Sequence, residues 1–194
     1  YNAKGITDSM EGRPTVQQFA HEVTVLEAAP GKSISSILDS GTVAEQQAAA
    51  KALGQAIGAM HRKFADGAEL PTGGLRTIVH GDLHPGNVFY DSQSGTVTLI
   101  DLAGMVNNFD QEPHGLDMLR DIKRVLTQGS LASGPQFGAV PRDKVAQAQL
   151  QDAFLRGYAE NFADLTDMDG QPRYSPDKVR ALIANPDISA VGLT

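Results

Sequence analysis

The longest run of regularly spaced apolar residues predicts an α-helix over residues 42–65. The apolar positions recur at spacings of three and four, which places them on one helical face: they are Ala49, Leu53, Ala56, Ile57, Met60 and Phe64. Thr42, with Glu45 three residues later, has the pattern of a capping box at a helix start. Gly54 and Gly58 each cost the helix about 1 kcal/mol relative to Ala. We therefore expect a neighbouring element to approach the helix closely at these glycines.

The pattern in the middle of the chain changes to short runs of β-branched and aromatic residues, which is typical of strands. Two of these runs are separated by Asp91-Ser92-Gln93-Ser94-Gly95, a segment with the composition of a hairpin turn. Residues 81–86, which include Pro85, predict a loop ahead of that hairpin. The predicted strands are 22–27, 76–80, 88–90 and 97–100.

The remainder of the chain returns to a helical spacing of apolar residues. Pro141 and the pair Ser175-Pro176 stand where helices are expected to begin. The predicted helices are 115–128, 142–165 and 176–184. Together these patterns predict an α+β fold that is mainly helical, with one small β-hairpin near its centre.

Composition and charge narrow the classes of function. The chain has 194 residues, no Cys and a formal net charge of −7. The absence of Cys excludes disulfides, Cys-ligated metal sites and a thiol nucleophile. The acidic balance argues against binding to nucleic acid or to an anionic membrane, because both need a basic surface. No apolar run approaches the roughly 18 residues of a membrane span, and no leader peptide is visible. We expect a cytoplasmic protein.

The polar residues that carry candidate chemistry are concentrated in residues 80–87, with the sequence HGDLHPGN. Asp82 and Asn87 are close enough on this loop to face one cavity. The hairpin that follows returns the chain towards its start and brings Asp101 near Asn87. An amide oxygen and a carboxylate are ligands suited to Mg²⁺, and a further carboxylate can accept a proton from a substrate hydroxyl. This set contains the groups needed for phosphoryl transfer from a Mg-nucleotide.

The same residues resemble the catalytic motif of the aminoglycoside phosphotransferase/choline kinase family, within the protein-kinase-like superfamily. That family carries His-Gly-Asp-x-His-x-x-Asn, then a hairpin, then Ile-Asp. The matching residues here are His80, Gly81, Asp82, His84, Asn87, Ile100 and Asp101. The resemblance covers about residues 22–128 and implies a kinase-like C-terminal lobe with ATP (or GTP) and Mg²⁺ as cofactors.

The resemblance also implies roles for individual residues. Asp82 would be the catalytic base, and Asn87 and Asp101 would hold Mg²⁺ and the nucleotide. His84 is open to two interpretations, a catalytic residue or a hydrogen-bonding brace of the loop. His80 is expected to brace the loop, and Asp117 to hold its backbone.

Residues 26–31 are similar to the family's hinge, in which the backbone at Glu27 and Ala29 would meet the nucleotide base. The family places a small β-rich lobe before this hinge, and only about 25 residues precede it here. We therefore expect residues 1–31 to be the remnant of an N-terminal lobe plus the hinge, and residues 32–194 to be the C-terminal lobe. The N-terminal lobe is expected to be absent, strongly reduced, or supplied by a second segment or chain.

The resulting hypothesis is an ATP- and Mg²⁺-dependent phosphotransferase acting on a hydroxyl of a small molecule, with amino sugars and amino alcohols as the acceptor type. The acidic run of Asp164, Asp167 and Asp169 is either a solvated face or the wall of a pocket for a cationic acceptor. A minimal protein kinase or effector, and an inactive kinase-like binding module, remain as alternatives. A metal-dependent phosphoesterase is disfavoured, because such sites usually need two metals bridged by several His and Asp.

Overall fold

The computed structural model describes residues 28–102, 105, 117–132, 143–185 and 188, together with four short strands nearer the N-terminus. These strands pair antiparallel, β1 with β4 and β2 with β3. Their bounds are β1 Asn2–Ala3, β2 Thr7–Asp8, β3 Thr15–Val16 and β4 His21–Glu22. The strand predicted at 22–27 coincides with the end of β4 at Glu22, and residues 23–27 lie outside the described residues.

A three-stranded antiparallel sheet contains the predicted hairpin. Its strands are β5 Lys32–Ser33, β6 Val88–Asp91 and β7 Thr96–Leu99, in the order β5-β6-β7. The turn between β6 and β7 is built as expected: the Asp91 carboxylate accepts hydrogen bonds from the Gln93 N–H and the Ser94 hydroxyl. Gly95 closes the turn at φ 71°, a left-handed conformation that favours glycine. The hairpin prediction is confirmed.

The strand predicted at 76–80 is wrong. The segment forms only an isolated bridge, between Arg76 and Asp117. Two of its polar groups are bonded to residues of helices instead of to a strand. The Thr77 hydroxyl donates to the carbonyl of His61, and the His80 N–H donates to the carboxylate of Asp121. A β-rich composition therefore produced an extended segment buried between helices.

Helices make up most of the regular structure among the described residues, so the predicted α+β class is confirmed. Thr42 and Glu45 form the predicted capping box at the start of the longest helix. The helix predicted over 142–165 is found as Lys144–Glu160, with Asp143 as its N-cap, and Pro141 lies outside the described residues. The helices are α1 Ile34–Ser40, α2 Val43–Phe64, α3 Met118–Thr127, α4 Lys144–Glu160 and α5 Pro176–Ile183.

The glycines of α2 explain how this helix packs against α4. A Cβ atom on Gly54 would lie 2.0 Å from the carbonyl oxygen of Phe154, and one on Gly58 would lie 2.5 Å from the side-chain Nδ2 atom of Asn161 and 2.9 Å from the carbonyl oxygen of Tyr158. Gly157 makes the reciprocal approach from α4, because its Cβ atom would lie 2.2 Å from the carbonyl oxygen of Lys51. The predicted close approach is confirmed, and it brings two helix backbones nearly into contact.

The hydrophobic core lies between α2, α3, α4 and the inner face of the three-stranded sheet. Tyr158 on α4 is fully buried and stacks on Phe154 and Phe162. Phe64, predicted to lie on the buried face of α2, is instead 43% exposed at the helix end. Nowhere in the described residues is a helix both long enough and apolar enough to cross a membrane. The boundary expected at residue 31 stays a prediction.

Candidate functional site

The loop at residues 80–87 connects the extended segment after α2 with strand β6. Gly81 has φ 78°, which explains why a glycine stands between His80 and Asp82. The loop ends in a short 3₁₀ helix, Pro85–Asn87, that leads directly into β6. The predicted loop is therefore confirmed, and its polar side chains lie between the helical core and the three-stranded sheet.

Asp121 on α3 holds the backbone at the start of this loop. Its Oδ2 atom accepts the His80 N–H at 2.6 Å, and its Oδ1 atom accepts the Gly81 N–H at 2.9 Å. The carboxylate is buried, with Asp121 only 1% exposed. Burial alone would raise the pKa of Asp121, but hydrogen bonds from His61 and from these two backbone N–H groups outweigh it and hold the pKa below the usual range.

The loop-holding role was expected of Asp117, and that expectation is wrong. Asp117 is the N-cap of α3, where its Oδ1 atom accepts the N–H of Leu119. Its Oδ2 atom accepts the hydroxyl of Thr72 at 2.6 Å. Because α3 begins at Met118, the acid one turn further along, Asp121, faces the loop. The spacing of four between the two acids on a predicted helix was the signal that could have suggested this alternative.

A buried hydrogen-bonded chain extends from Asp121 to α4. His61 Nε2 lies 3.2 Å from Asp121 Oδ2, and His61 Nδ1 lies 2.9 Å from the Tyr158 hydroxyl. All polar atoms are satisfied when Nε2–H donates to the carboxylate and the phenol donates to Nδ1. Burial and the charge of Asp121 raise the pKa of Tyr158 well above its usual value, so the phenol keeps its proton. His61, in the last turn of α2, is fully buried.

The C-terminal turn of α3 holds the next two residues of the loop. Arg124 Nη2 lies 2.7 Å from Asp82 Oδ1. Ser130, just after the helix, donates both its N–H and its hydroxyl to the carbonyl of Leu83. Asp121, Arg124 and the Ser130 turn therefore hold four consecutive residues of the loop. Sequence reasoning missed Arg124, although it lies one turn beyond Asp121 on the same helical face.

Asp82 points into an open part of the site. Its side chain is 43% exposed, and its Oδ1 atom is paired with Arg124. The Oδ2 atom lies 3.8 Å from His84 Nε2. The His84 Nδ1 atom accepts the N–H of Gly86, so the ring proton of the neutral imidazole is on Nε2, the atom nearest the carboxylate. The structure therefore brings Asp82 and His84 together, with His84 able to donate towards the carboxylate.

His80 and Asn87 link the loop to the end of the hairpin. His80 Nδ1 accepts the N–H of Asp82, and His80 Nε2 lies 3.0 Å from the carbonyl oxygen of Ile100. The carbonyl of Asn87 accepts the N–H of Ile100 at 3.0 Å. Both residues thus fix Ile100, the residue directly before Asp101. The predicted bracing role of His80 agrees with these contacts.

Asp101 follows in a left-handed backbone conformation, with φ 58°. Among the described residues it is the one non-glycine residue with a positive φ. Such a conformation is uncommon for non-glycine residues, and Asn and Asp adopt it more readily than the others. Asp101 is exposed. The position is therefore held by the contacts to Ile100 while its carboxylate stays accessible.

The donor set at this end of the hairpin fits Mg²⁺. Asn87 is 5% exposed, and its Nδ2 atom donates to the carbonyl of Asp82, which fixes the carboxamide orientation. The carboxamide oxygen accepts no hydrogen bond from a described residue. With the Asp101 carboxylate it would provide two hard oxygen ligands, and Mg²⁺ is usually bound by one or two carboxylates plus phosphates and waters. Over the described ranges, no group of three or more His, Asp or Glu residues is placed to hold a metal.

The expected hinge residues are only partly described. Glu27 lies outside the described residues. Ala29 is half-buried and lies two residues before Gly31. Gly31 has φ 86°, and a Cβ atom on it would lie 2.1 Å from the carbonyl oxygen of Tyr90. Gly31 therefore lies directly against strand β6, the strand that begins after Asn87.

Two other polar regions lie apart from this loop. In the acidic run near the end of α4, Asp164 pairs with Arg62 and Asp167 pairs with Lys178. These pairs fit the interpretation of a solvated face. A groove of about 610 Å³ runs between α2 and α4, and it is lined by Ala44, Gln47, Ala48, Lys51, Gln149, Asp152, Ala153, Arg156 and Glu160. Its charged side chains are paired with one another, as in Lys51–Glu160 and Arg156–Asp152.

Comparison of the chain with protein-family models, with curated proteins and with solved structures finds no match in any of the three.

Proposed function

We propose that this chain transfers the γ-phosphoryl group of ATP or GTP to a hydroxyl of a small molecule. The observation that carries the proposal is the position of the Asp82 carboxylate. It is accessible, it is held on one side by Arg124, and it belongs to a loop whose backbone is hydrogen-bonded twice to Asp121 on α3 and also to Ser130 directly after α3. A carboxylate fixed in this way can orient an acceptor hydroxyl without reorganising, and positioning is the larger part of catalysis in phosphoryl transfer.

The reaction uses few protein groups. The acceptor oxygen forms a bond to the γ-phosphorus, the bond from that phosphorus to the β,γ-bridging oxygen breaks, and the nucleoside diphosphate leaves. The hydroxyl proton passes to Asp82, whose Oδ2 atom is turned away from the Arg124 contact. His84 Nε2–H lies 3.8 Å from the same Oδ2 atom, longer than a hydrogen bond, and a small movement of the ring would let it donate to that oxygen. In this proposal both imidazoles of the loop orient other groups: His84 orients the Asp82 carboxylate, and His80 orients the loop backbone.

Asn87 and Asp101 are the residues that would hold Mg²⁺ with the nucleotide phosphates. When bound, the ion supplies positive charge against the charge that builds on the β- and γ-phosphate oxygens. Asn87 contributes a carboxamide whose orientation is fixed by Asp82. Asp101 contributes a carboxylate whose backbone is held by the contacts to Ile100. The likeness to the aminoglycoside phosphotransferase/choline kinase family supports the same assignment.

The test is transfer of label from γ-labelled ATP, and in parallel GTP, to a panel of amino sugars, amino alcohols and neutral polyols. We expect a labelled product with the wild type and a loss of about 10²- to 10⁴-fold with Asp82→Asn, the range typical of removing a general base. Asp39→Asn is the matched control, because Asp39 is an exposed acid on α1 far from the loop in sequence. Undiminished transfer by a folded Asp82→Asn variant would overturn the proposed role of Asp82. A protein mixture in place of the panel tests the protein-kinase alternative.

A further inference from the structure

The charges around the candidate site raise the question of which protein cation faces the nucleotide phosphates. Residues 77–102 contain three carboxylates and no Lys or Arg. A nucleoside triphosphate brings further negative charge to this region. The cation that the structure does place against the loop is Arg124, which comes from α3. Its side chain is 18% exposed, so it is mostly buried yet still reaches the solvent-facing part of the site.

We propose that Arg124 binds the terminal phosphoryl group of the nucleoside triphosphate. This inference rests on the proposed function and assigns the ligand of a residue that neither the motif nor the expected metal site uses. The role differs from that of a base, since Arg124 neither takes nor gives a proton and contributes only charge and hydrogen bonds.

The first argument is distance. Asp82 orients the hydroxyl that attacks the γ-phosphorus, so the phosphoryl group must lie about one hydrogen bond plus one reacting distance from that carboxylate. Arg124 Nη2 lies 2.7 Å from the other oxygen of the same carboxylate. A guanidinium in that place is within reach of the group under attack.

The second argument is the unused capacity of the guanidinium. Arginine carries five N–H donors in a planar fork that matches phosphate. One nitrogen, Nη2, contacts Asp82, and among the described residues no second carboxylate lies within ion-pair distance of Arg124. The other donors can therefore bind a phosphoryl oxygen while the contact to Asp82 is kept.

The third argument is that the backbone carrying Arg124 is held rigidly. Arg124 is in the last turn of α3, and its carbonyl accepts the N–H groups of Gln128 and Gly129. The same helix holds the loop backbone through Asp121, and the turn directly after it holds Leu83 through Ser130. The guanidinium and the Asp82 carboxylate are thus fixed to one scaffold, which is what preorganised stabilisation of a transferring group needs.

The experiment compares two ligands that differ in the terminal phosphoryl group. Calorimetric titration of the full chain with Mg-ADP, and with the Mg complex of the non-hydrolysable β,γ-imido analogue of ATP, gives a Kd for each. We expect Arg124→Met to weaken binding of the analogue by about tenfold to a hundredfold, the range of a hydrogen bond to a charged group. Binding of ADP should change by less than about twofold. Arg124→Lys, which keeps the charge but loses the fork, should fall between wild type and Arg124→Met.

The control and the outcomes separate the two proposals. Arg156→Met removes an arginine that is also paired with an aspartate, Asp152, but lies on the α2–α4 groove, and both Kd values should stay as in wild type. Equal weakening of ADP and analogue by Arg124→Met, or no weakening of either, would overturn the role of Arg124 and leave the proposed function standing. A wild type that binds neither ligand would overturn both. If Arg124→Met does not fold, Arg124→Lys takes its place. Binding of the analogue must then weaken more than binding of ADP, each relative to wild type, for the role of Arg124 to stand.

Discussion

Asp121 accepts the backbone N–H of His80 at 2.6 Å while both residues are buried. This contact joins the core helix α3 to the loop that carries Asp82. A second oxygen of the same carboxylate holds Gly81, and His61 supports the carboxylate from behind. The candidate base is thus exposed on a loop whose backbone is fixed from the interior, which is a common way of placing a reactive group on a rigid scaffold.

The first prediction concerns the cost of losing that contact. Asp121→Asn replaces an acceptor-only group with one that is half donor, so at least one of three buried N–H groups loses its partner. We expect the free energy of unfolding to fall by about 2–3 kcal/mol, the upper range for losing a hydrogen bond to a charged group. Urea unfolding measures this change, and Asp39→Asn should stay within about 0.5 kcal/mol of wild type. A loss that small in Asp121→Asn would show that the carboxylate does not hold the loop.

The second prediction concerns pH and Tyr158. Burial raises the pKa of this phenol above its unfolded value of about 10. The stability that it contributes is therefore fully present below about pH 10 and is lost as pH rises above that value, because only the unfolded chain releases the proton. Tyr158→Phe lacks this titration. At pH 8 the variant should be less stable by about 1–3 kcal/mol, since His61 Nδ1 loses its donor.

Urea midpoints of the two proteins between pH 8 and pH 11.5 check the prediction. The gap between wild type and Tyr158→Phe should close above about pH 10, with a slope near 1.4 kcal/mol per pH unit. A gap that stays constant across this range would contradict the buried, hydrogen-bonded state of the phenol.

The third prediction uses the glycines of α2. Helix propensity alone would make Gly54→Ala stabilising by about 1 kcal/mol. The packing reverses the sign, because the new Cβ atom would lie 2.0 Å from the carbonyl oxygen of Phe154 and would push α4 away. We expect a net loss of about 1–3 kcal/mol in the free energy of unfolding.

Ala59→Gly, at an exposed position of the same helix, measures propensity without packing and should cost about 1 kcal/mol. A gain in stability for Gly54→Ala would mean that the two helices are further apart than described.

The fourth prediction concerns the backbone conformation of Asp101, independently of its carboxylate. At φ 58° the Cβ atom of an Ala residue is strained against the backbone, whereas Gly has no Cβ atom and is not strained. The Asp101→Gly variant should therefore be more stable than Asp101→Ala by about 1 kcal/mol, the reverse of the order at an ordinary position. Chemical unfolding of the two variants decides the order. A more stable Ala variant would contradict the left-handed conformation.

Part of this architecture follows from local sequence. Three features could be predicted, because each depends mainly on a few neighbouring residues or on one helical face. They are the capping box of Thr42 and Glu45, the hairpin turn at Asp91 and the glycines of α2. The loop of residues 80–87 could be predicted in the same way, because its glycines and its proline exclude a helix or a strand.

The errors arise where tertiary contacts decide. The segment 76–80 has the composition of a strand, but Thr77 and His80 donate hydrogen bonds to residues of α2 and α3. Asp117 and Asp121 lie on one predicted helical face, and the exact start of α3, which sequence patterns place least well, decides which one caps and which one holds the loop. The short helix α1 was missed because seven residues give too few turns for a period to be recognised.

Thermal melting with and without Mg-ATP tests the central claim most directly, with wild type, Asp101→Asn and Asp39→Asn measured side by side. Asn tolerates the left-handed conformation of residue 101, so Asp101→Asn removes the charge with little effect on the fold. At a hundredfold excess of nucleotide over Kd, binding adds about 2.7 kcal/mol. This should raise the Tm of wild type and Asp39→Asn by about 5–10 °C. The proposal predicts that this rise is lost in Asp101→Asn. An equal rise in all three proteins, or none in wild type, would contradict it.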